Sequence, residues 1–566
     1  MLNDHSPNCF SYKEILLVHP PVAKACEAPG GLGRLAGALR RHGVFCRVWD
    51  ANLEGQLWLM EEGRQTGANS AAIHLAEKLL QSTESVRVRA GGGEAIPHPE
   101  APGRFTGGDV RGKGTDNWTR RAAKHLAENL AAVRSRDLYR NPDRYRRAVT
   151  DLNRLLATAA GPSGIRLSLA DYEDARLSPV RSADLLQAAA GPEKNPFYPW
   201  FQKRFPEIFA ETAVSHVGFS LNYLSQALTT FAMIGFLRRE WPQLRIVLGG
   251  GLVTSWMRRP DWKSPFAGFV DEMIAGPGEA PLLALLGAEH DGSPDRPDFS
   301  GFPLTDYLSP GAILPYSTSS GCWWRRCSFC PELAEGNPYR PLPTAQVTAD
   351  LHALVAETRP ALIHLLDNAL SPTLLDVLAS DPPGAPWYGF ARISPHLADP
   401  DFCLKLRDSG YIMLKLGLES GDPAVLAALK KGVDLAVAAA ALKNLKAAGI
   451  ATYVYLLFGT PAETAAAARR TLAFTIEHAE EIGFLNLAIF NLPAWGAGGE
   501  WLNTGTFYEG DLSLYLPFSH PQGWNREEVR RFLEREFKRD SAVAEIIRRD
   551  PPFFTSNHAP FFSRAW

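Results

Sequence analysis

A chain of 566 residues, 45% apolar and 21% charged with a formal net charge of −2, is long enough for two to four domains with sizeable cores. So even a charge balance argues against a nucleic-acid or membrane surface, and the sequence has no uninterrupted apolar run long enough to span a bilayer. Seven cysteines, three of them clustered, fit a reducing compartment rather than a disulfide framework. With a polar start, Met1 to Asn8, that runs into a strand, a cytoplasmic protein without a signal peptide is expected.

Glu14-Ile15-Leu16-Leu17-Val18 reads as a buried parallel strand ended by His19-Pro20-Pro21. Gly30-Gly31-Leu32-Gly33 leads into a helix over 34–43 closed by Gly43, and 44–50 is the second strand of a βαβ unit. The glycines lack G-x-G-x-x-G spacing and give a dinucleotide site little support. Cys9, Cys26 and Cys46 show no metal spacing and read as ordinary small residues. From 56 to 205 the pattern changes to a helical and loop insertion, with helices near 70–82, 119–134 and 143–160 around a Gly-, Pro- and charge-rich loop at 88–118. Its basic run (Arg134, Arg136, Arg140, Arg144, Arg146 and Arg147) reads as a solvated helix face, with a site for an acidic substrate as the other reading. The α/β rhythm resumes with strands at 215–221, 244–251 and 269–276 and helices at 224–239 and 280–288, so residues 1–55 and 206–297 form one Rossmann-like domain.

After a proline-bearing linker, a second domain is expected over 298–494. Its first strand, 312–317, feeds Ser319-Ser320-Gly321-Cys322-Trp323-Trp324-Arg325-Arg326-Cys327-Ser328-Phe329-Cys330, a C-x4-C-x2-C arrangement. Three thiolates this close cannot all pair as disulfides but can converge on one metal centre, and thiolate is what iron–sulfur clusters and zinc select. A structural zinc closes with four ligands, and the next His and Cys are as far on as His352 and Cys403. Three ligands and an open position is therefore the local reading, with a zinc knuckle closed by a distant ligand and free buried cysteines as the others. Five more strands (362–368, 387–394, 412–421, 451–459 and 485–491) alternate with helices at 344–357, 399–408, 436–448 and 462–478, giving a partial (β/α)6 barrel with the cysteine loop at a strand's C-terminal end.

The cysteine spacing, with Phe329 before the last cysteine, resembles the radical S-adenosylmethionine (SAM) enzymes, whose usual motif has one residue fewer in the first gap. The resemblance implies a [4Fe–4S] cluster on Cys322, Cys327 and Cys330, whose open iron binds SAM. Gly417-Leu418-Glu419-Ser420-Gly421, the following Leu429-Lys430-Lys431-Gly432 and Gly459-Thr460-Pro461-Ala462-Glu463-Thr464 resemble the family's fourth- and fifth-strand signatures. They place Phe329, Asp367, Asn368, Arg392, Ser394, Glu419, Gly459 and Pro461 as SAM-binding candidates. Glu419 suits acceptance from ribose hydroxyls, with an ion pair to Lys415 or Arg392 as the alternative; Asp367 and Asn368 suit the SAM ammonium and Arg392 its carboxylate. The first domain resembles the cobalamin-binding domain of one branch of this family, through Pro20-Pro21, the Gly-Phe-Ser strand end, the Gly-Gly-Gly turn and Gly276-Pro277-Gly278-Glu279. That implies cobalamin contacts at Ser220, Leu221, Asn222, Gln226, Gly249, Gly250, Gly251 and Thr254. The Asp-x-His-x-x-Gly motif that supplies a lower cobalt ligand in other cobalamin domains is absent from the sequence.

Residues 495–566, dense in aromatics from Trp501 to Trp566 and with a charged helical stretch over 526–549, read as a cap that shapes the pocket or simply packs on the barrel. The resemblance implies a cobalamin-dependent methyltransferase acting on an unactivated carbon of a small molecule or peptide. The expected protein is a monomer, fed electrons by a flavodoxin- or ferredoxin-type donor. Radical SAM oxidation, rearrangement or ring contraction without methyl transfer is the alternative, and a zinc- or cluster-bearing binding protein the third reading.

Overall fold

The computed structural model describes residues 14–68, 114–161, 164–495, 502–505, 510–553 and 558–562. The polar start Met1 to Asn8, Cys9, the helix expected at 70–82 and the aromatics Trp501, Phe507, Tyr508, Phe554 and Trp566 lie outside these residues, as does the loop expected over 88–118 up to residue 113; from Gly114 on, the chain is helix where that loop was expected. The chain divides into two compact units. One comprises residues up to Pro21, Pro29–Gly55 and Ala183–Phe302; the other comprises Val22–Ala28, Gln56–Ser182 and Pro303 onward.

The first unit is built on a five-stranded sheet of β1 (Glu14–Val18), β2 (Cys46–Trp49), β3 (Val214–Ser220), β4 (Arg245–Gly249) and β5 (Glu272–Met273), in the order β2-β1-β3-β4-β5 with every pair parallel. Buried on both faces, the strands read as continuous apolar runs, and Ile15 to Val18 are wholly buried. The helix Leu224–Glu240 is buried without a break from Gln226 to Leu237, because its composition leaves no polar stripe. The first helix starts at Gly30, four residues before the expected 34. The expected strand 269–276 shrinks to two residues. At Asp271 the backbone N–H still donates to Ile246 O at 3.0 Å, but the Ile246 N–H donates to the Asp271 carboxylate at 2.7 Å, which also pairs with Arg238, so a side chain takes one donor of the ladder.

The second unit holds a six-stranded parallel sheet: β6 (Ile313–Tyr316), β7 (Leu362–Leu370), β8 (Trp387–Ala391), β9 (Tyr411–Glu419), β10 (Ala451–Phe458) and β11 (Phe484–Ile489), paired in chain order. This is the expected partial (β/α)6 barrel. The faces can be told apart by register. Tyr316 donates to Asp350 on the helix Thr344–Thr358, so Tyr316 and its neighbour Leu365 face the helices. Alternation then puts His364, Leu366 and Asn368 on the inner face. Tyr388, Phe390, Met413, Lys415, Tyr453, Tyr455, Phe484 and Asn486 follow by pairing.

Helices Gly114–Lys124, Leu126–Val133 and Pro142–Ala160 belong to this unit, as does a short hairpin, Ile165–Leu167 with Tyr172–Asp174. The charged stretch expected over 526–549 is two helices, Arg526–Arg535 and Ser541–Arg548. Asp540 separates them, its carboxylate accepting from the N–H groups of Ala542 and Val543 as an N-cap. Among the described residues no helix is long and apolar enough to cross a membrane.

Gly250 controls the turn after β4. Its φ is +109°, and a Cβ there would stand 2.4 Å from the Leu221 carbonyl oxygen. Gly250→Ala should lower stability by about 2 kcal/mol or more, since strain and overlap add. A melting temperature unchanged from wild type would contradict this account of the turn.

Candidate active site

The cysteine loop leaves the end of β6 and is fixed at both ends. At its start, Asp367, buried on the helix side of β7, accepts from Thr318 N–H at 3.0 Å, Thr318 Oγ1 at 2.7 Å and Ser319 Oγ at 2.5 Å. At its far side, Ser328 N–H donates to Leu429 O at 3.0 Å, Trp324 Nε1 to Lys430 O at 3.1 Å and Trp323 Nε1 to Leu370 O at 3.2 Å. Arg325 takes a left-handed φ of +48° inside the longer first gap. Phe329 packs against Val425, Leu429 and Ala467.

Cys327 is buried at 9% exposure, and Cys322 and Cys330 are half-buried. Burial pushes the thiol pKa of Cys327 up, against the opposing pull of Lys431 and Arg392; burial also pushes Cys330 up to about 11. Deprotonation must therefore be driven by what the sulfurs bind. Among the described residues no three His, Cys, Asp or Glu side chains are grouped tightly enough to hold a single metal ion. Thiolates sharing one zinc at about 2.3 Å would stand roughly 4 Å apart, whereas those of a cube-shaped cluster bind separate irons and stand wider. Three thiols on one loop beside two cations fit a [4Fe–4S] cluster.

Arg392 is the nearer cation. Its Nη1 donates to Cys327 Sγ at 3.9 Å, its Nη2 to the Lys431 carbonyl, and its guanidinium lies 3.9 Å from the centre of the Trp324 ring. Burial lowers its pKa, and the cysteines partly restore it. Lys431 Nζ donates to Glu419 Oε1 at 2.7 Å and sits 5.7 Å from the Phe329 ring centre. Glu419 thus pairs with Lys431, whereas the alternative to its reading as a ribose acceptor was an ion pair with Lys415 or Arg392. A Cβ on Gly417 would come within 2.6 Å of both charged atoms.

The other candidates separate. Asn368 is exposed on the inner face, with Nδ2 on Gly321 O at 3.3 Å, while Asp367, expected beside it at the SAM ammonium, faces the other way and anchors the loop. Ser394 precedes the short helical turn Pro395–Ala398 and is half-buried, as is Pro461. Gly459 N–H donates to Glu463 Oε2 at 2.5 Å, and Trp524 Nε1 donates to the same oxygen at 2.9 Å, tying the segment after 510 to the fifth-strand turn.

In the first unit the cobalamin candidates interlock at the C-terminal ends of β3 and β4. Asn222 Nδ2 donates to Ser220 Oγ at 3.0 Å, and its Oδ1 accepts from Gly251 N–H at 2.9 Å. Gln226 Oε1 accepts from Asn222 N–H at 3.0 Å, and its Nε2 donates to Pro20 O at 2.7 Å. Leu221 N–H donates to Gly249 O at 2.7 Å; Thr254 Oγ1 donates to Gly250 O and accepts from Gly276 N–H, each at 2.9 Å. Side-chain-free turns at parallel strand ends let a large ligand approach the backbone. Trp324, Lys431 and Glu463 were missed as site residues, although Lys431 and Glu463 lie within signatures that the sequence displays.

The family model described as the Radical SAM superfamily matches residues 316–475. No curated protein matches the sequence significantly. Among solved structures, TsrM, a radical S-adenosylmethionine methyltransferase from Kitasatospora setae, is 16% identical with a TM-score of 0.48, both with cobalamin and a [4Fe–4S] cluster bound and with tryptophan and aza-SAM bound. The likeness covers 87% of this chain and 81% of that one in the first case, and 86% and 75% in the second. OxsB, a cobalamin-dependent S-adenosylmethionine radical enzyme, with aqua-cobalamin bound, is 17% identical with a TM-score of 0.38, over 50% of this chain and 46% of that one. Likenesses at this level assign no role to any residue here.

Burial pushes Glu463 up to about 7, from 4.5, and its Oε1 has no hydrogen-bond partner among the described residues. The native state then holds this proton longer than the unfolded chain. Its stability contribution is intact below the unfolded value and is lost as pH rises towards the folded one, by about 3 kcal/mol in all. The melting temperature of wild type should accordingly fall relative to Glu463→Gln between about pH 4.5 and 7 and then hold level; a difference that does not change with pH would contradict the burial argument. The cysteine loop, its two cations and the family match together show that this chain carries a radical SAM domain.

Proposed function

We propose that the chain is a cobalamin-dependent radical SAM methyltransferase that moves a methyl group from SAM to an unactivated carbon of a small molecule or peptide. The observation that carries this reading is the cysteine loop of the second unit with the Arg392 cation on its Cys327. The glycine-rich turns at the C-terminal ends of β3 and β4 in the first unit, where a large planar ligand would meet backbone rather than side chain, support the cobalamin part. When bound, the cluster supplies the electron that cleaves SAM and cobalamin supplies a methyl carrier.

The chain's own residues bind and orient. Cys322, Cys327 and Cys330 would hold the cluster. Arg392 donates to Cys327 Sγ and offsets the charge gathered there. The Glu419–Lys431 pair presents a carboxylate at the end of β9, where ribose hydroxyls would donate to its outer oxygen. Asn368 offers an amide at the end of β7 to the amino and carboxylate end of SAM. Gly249, Gly250 and Gly251, with Ser220, Leu221, Asn222, Gln226 and Thr254, form the face expected to receive the corrin. A flavodoxin- or ferredoxin-type protein would deliver the electrons.

Anaerobic reconstitution with iron, sulfide and hydroxocobalamin tests this. The expected result is one four-iron cluster per chain, cob(II)alamin absorbance, and product heavier than substrate by one CH2 unit. Iron loading and SAM cleavage without corrin uptake would remove the methyltransferase reading and leave a radical SAM oxidation or rearrangement.

A further inference from the structure

Downstream of the barrel the chain folds back onto the turn that follows β10. That turn, Gly459-Thr460-Pro461-Ala462-Glu463, leads into the helix Ala465–Glu477, and its Gly459 and Pro461 are SAM candidates by family resemblance. Neither a glycine nor a proline has a side-chain donor or acceptor with which to fix itself. Within the turn, Glu463 N–H donates to Thr460 O at 2.8 Å and Gly459 N–H to Glu463 Oε2 at 2.5 Å, with Gly459 at a left-handed φ of +74°.

Two side chains from residues 520–524 complete the hold. His520 Nε2–H donates to Thr460 O at 2.8 Å, and Trp524 Nε1–H donates to Glu463 Oε2 at 2.9 Å. Each oxygen thus accepts once from inside the turn and once from the downstream segment. His520 Nδ1 accepts from the N–H groups of Gln522 at 3.1 Å and Trp524 at 3.2 Å, which requires a neutral ring with its proton on Nε2. Burial lowers the His520 pKa and favours that form. Gly523, at a φ of +66°, closes the loop that sets the two donors side by side, its N–H on His520 O at 3.0 Å. Trp524 is buried between exposed Gly523 and Asn525, so the indole is the anchor of this loop.

The same segment touches the cysteine loop's packing. Phe518 meets Phe490 edge-on with ring centres 5.6 Å apart, and Phe518 and Phe329, the residue before Cys330, both pack on the apolar cluster of Leu457, Phe490 and Leu492. On the other side the helix Arg526–Arg535 sets Val529 against the turn, where a Cβ on Gly459 would stand 3.2 Å from Val529 Cγ2. Apolar contacts such as these would suffice to pack a cap on a barrel. They are not directional, whereas the two N–H bonds fix the orientation of the turn's backbone.

We propose that His520 and Trp524 are positioning residues for SAM: the segment that carries them clasps the turn after β10 and holds the backbone of Gly459, Thr460 and Pro461 in the conformation that receives the cofactor. The proposal rests on the radical SAM reading of the barrel.

The test is equilibrium dialysis of labelled SAM against the reconstituted full-length protein, with variants matched to wild type for iron content. His520→Leu and Trp524→Phe each remove one donor and should weaken SAM binding about tenfold. His520→Gln, whose amide nitrogen can stand in for Nε2, should bind SAM as wild type does. Asp540→Ala, which removes the N-cap of the helix Ser541–Arg548, should lower the melting temperature and leave SAM affinity unchanged. Wild-type affinity in His520→Leu, no rescue by His520→Gln, or an equal loss in Asp540→Ala would each overturn the proposal, whether or not Trp524→Phe folds. Wild type that carries its four irons yet binds no SAM would defeat the radical SAM reading itself, whereas SAM binding that these substitutions leave untouched defeats the clasp alone.

Discussion

Negative charge gathered on one short loop is the constraint around which the second unit is arranged. Three thiolates repel one another, and a buried anion is tolerated only beside compensating charge and hydrogen-bond donors. Arg392 supplies both to Cys327 and is itself held flat against Trp324 and bonded to the Lys431 carbonyl. Lys431 adds a second cation and is kept in place by Glu419. Asp367 fixes the loop's entry through three hydrogen bonds, so the sulfurs are presented on a support that is already rigid.

Much of this was legible in the sequence because it rests on local pattern. The six strands of the barrel appear as apolar runs, four of the intervening helices were legible with them, and the sheet pairs the strands in chain order; the helix Pro372–Ser380 after the second strand was not read. C-x4-C-x2-C states its chemistry by spacing. What sequence could not assign was the direction of side chains around a bend. Asp367 and Asn368 are neighbours, yet one faces the helices and the other the barrel interior, a difference set by the phase of β7. Glu419 found Lys431 because its own left-handed φ of +67° turns its carboxylate towards the loop after β9. In the first sheet, likewise, the Asp271 carboxylate takes the Ile246 N–H beside a retained backbone bond, a contact between distant residues that no local pattern announces.

Interactions between residues far apart in sequence were the least accessible. Glu27, His364 and Lys415 form one hydrogen-bonded chain but lie on a loop and two separate strands, and no local motif joins them. Trp524 on Glu463 belongs to the same class. The first unit shows the converse. Its candidate residues cluster in the turns after β3 and β4 and the first turns of the helices that follow, so reading each strand end placed them together; Asn222 links the two turns through Gly251 N–H, and Gln226 holds Asn222.

The proposed chemistry requires an iron that the protein itself would leave without a ligand. Mössbauer spectroscopy of the reconstituted protein, recorded with and without SAM, tests this directly. The expected spectrum shows one iron of the cluster distinct from the other three and altered when SAM is added. Four irons that do not respond to SAM, or zinc in place of iron on Cys322, Cys327 and Cys330, would contradict it.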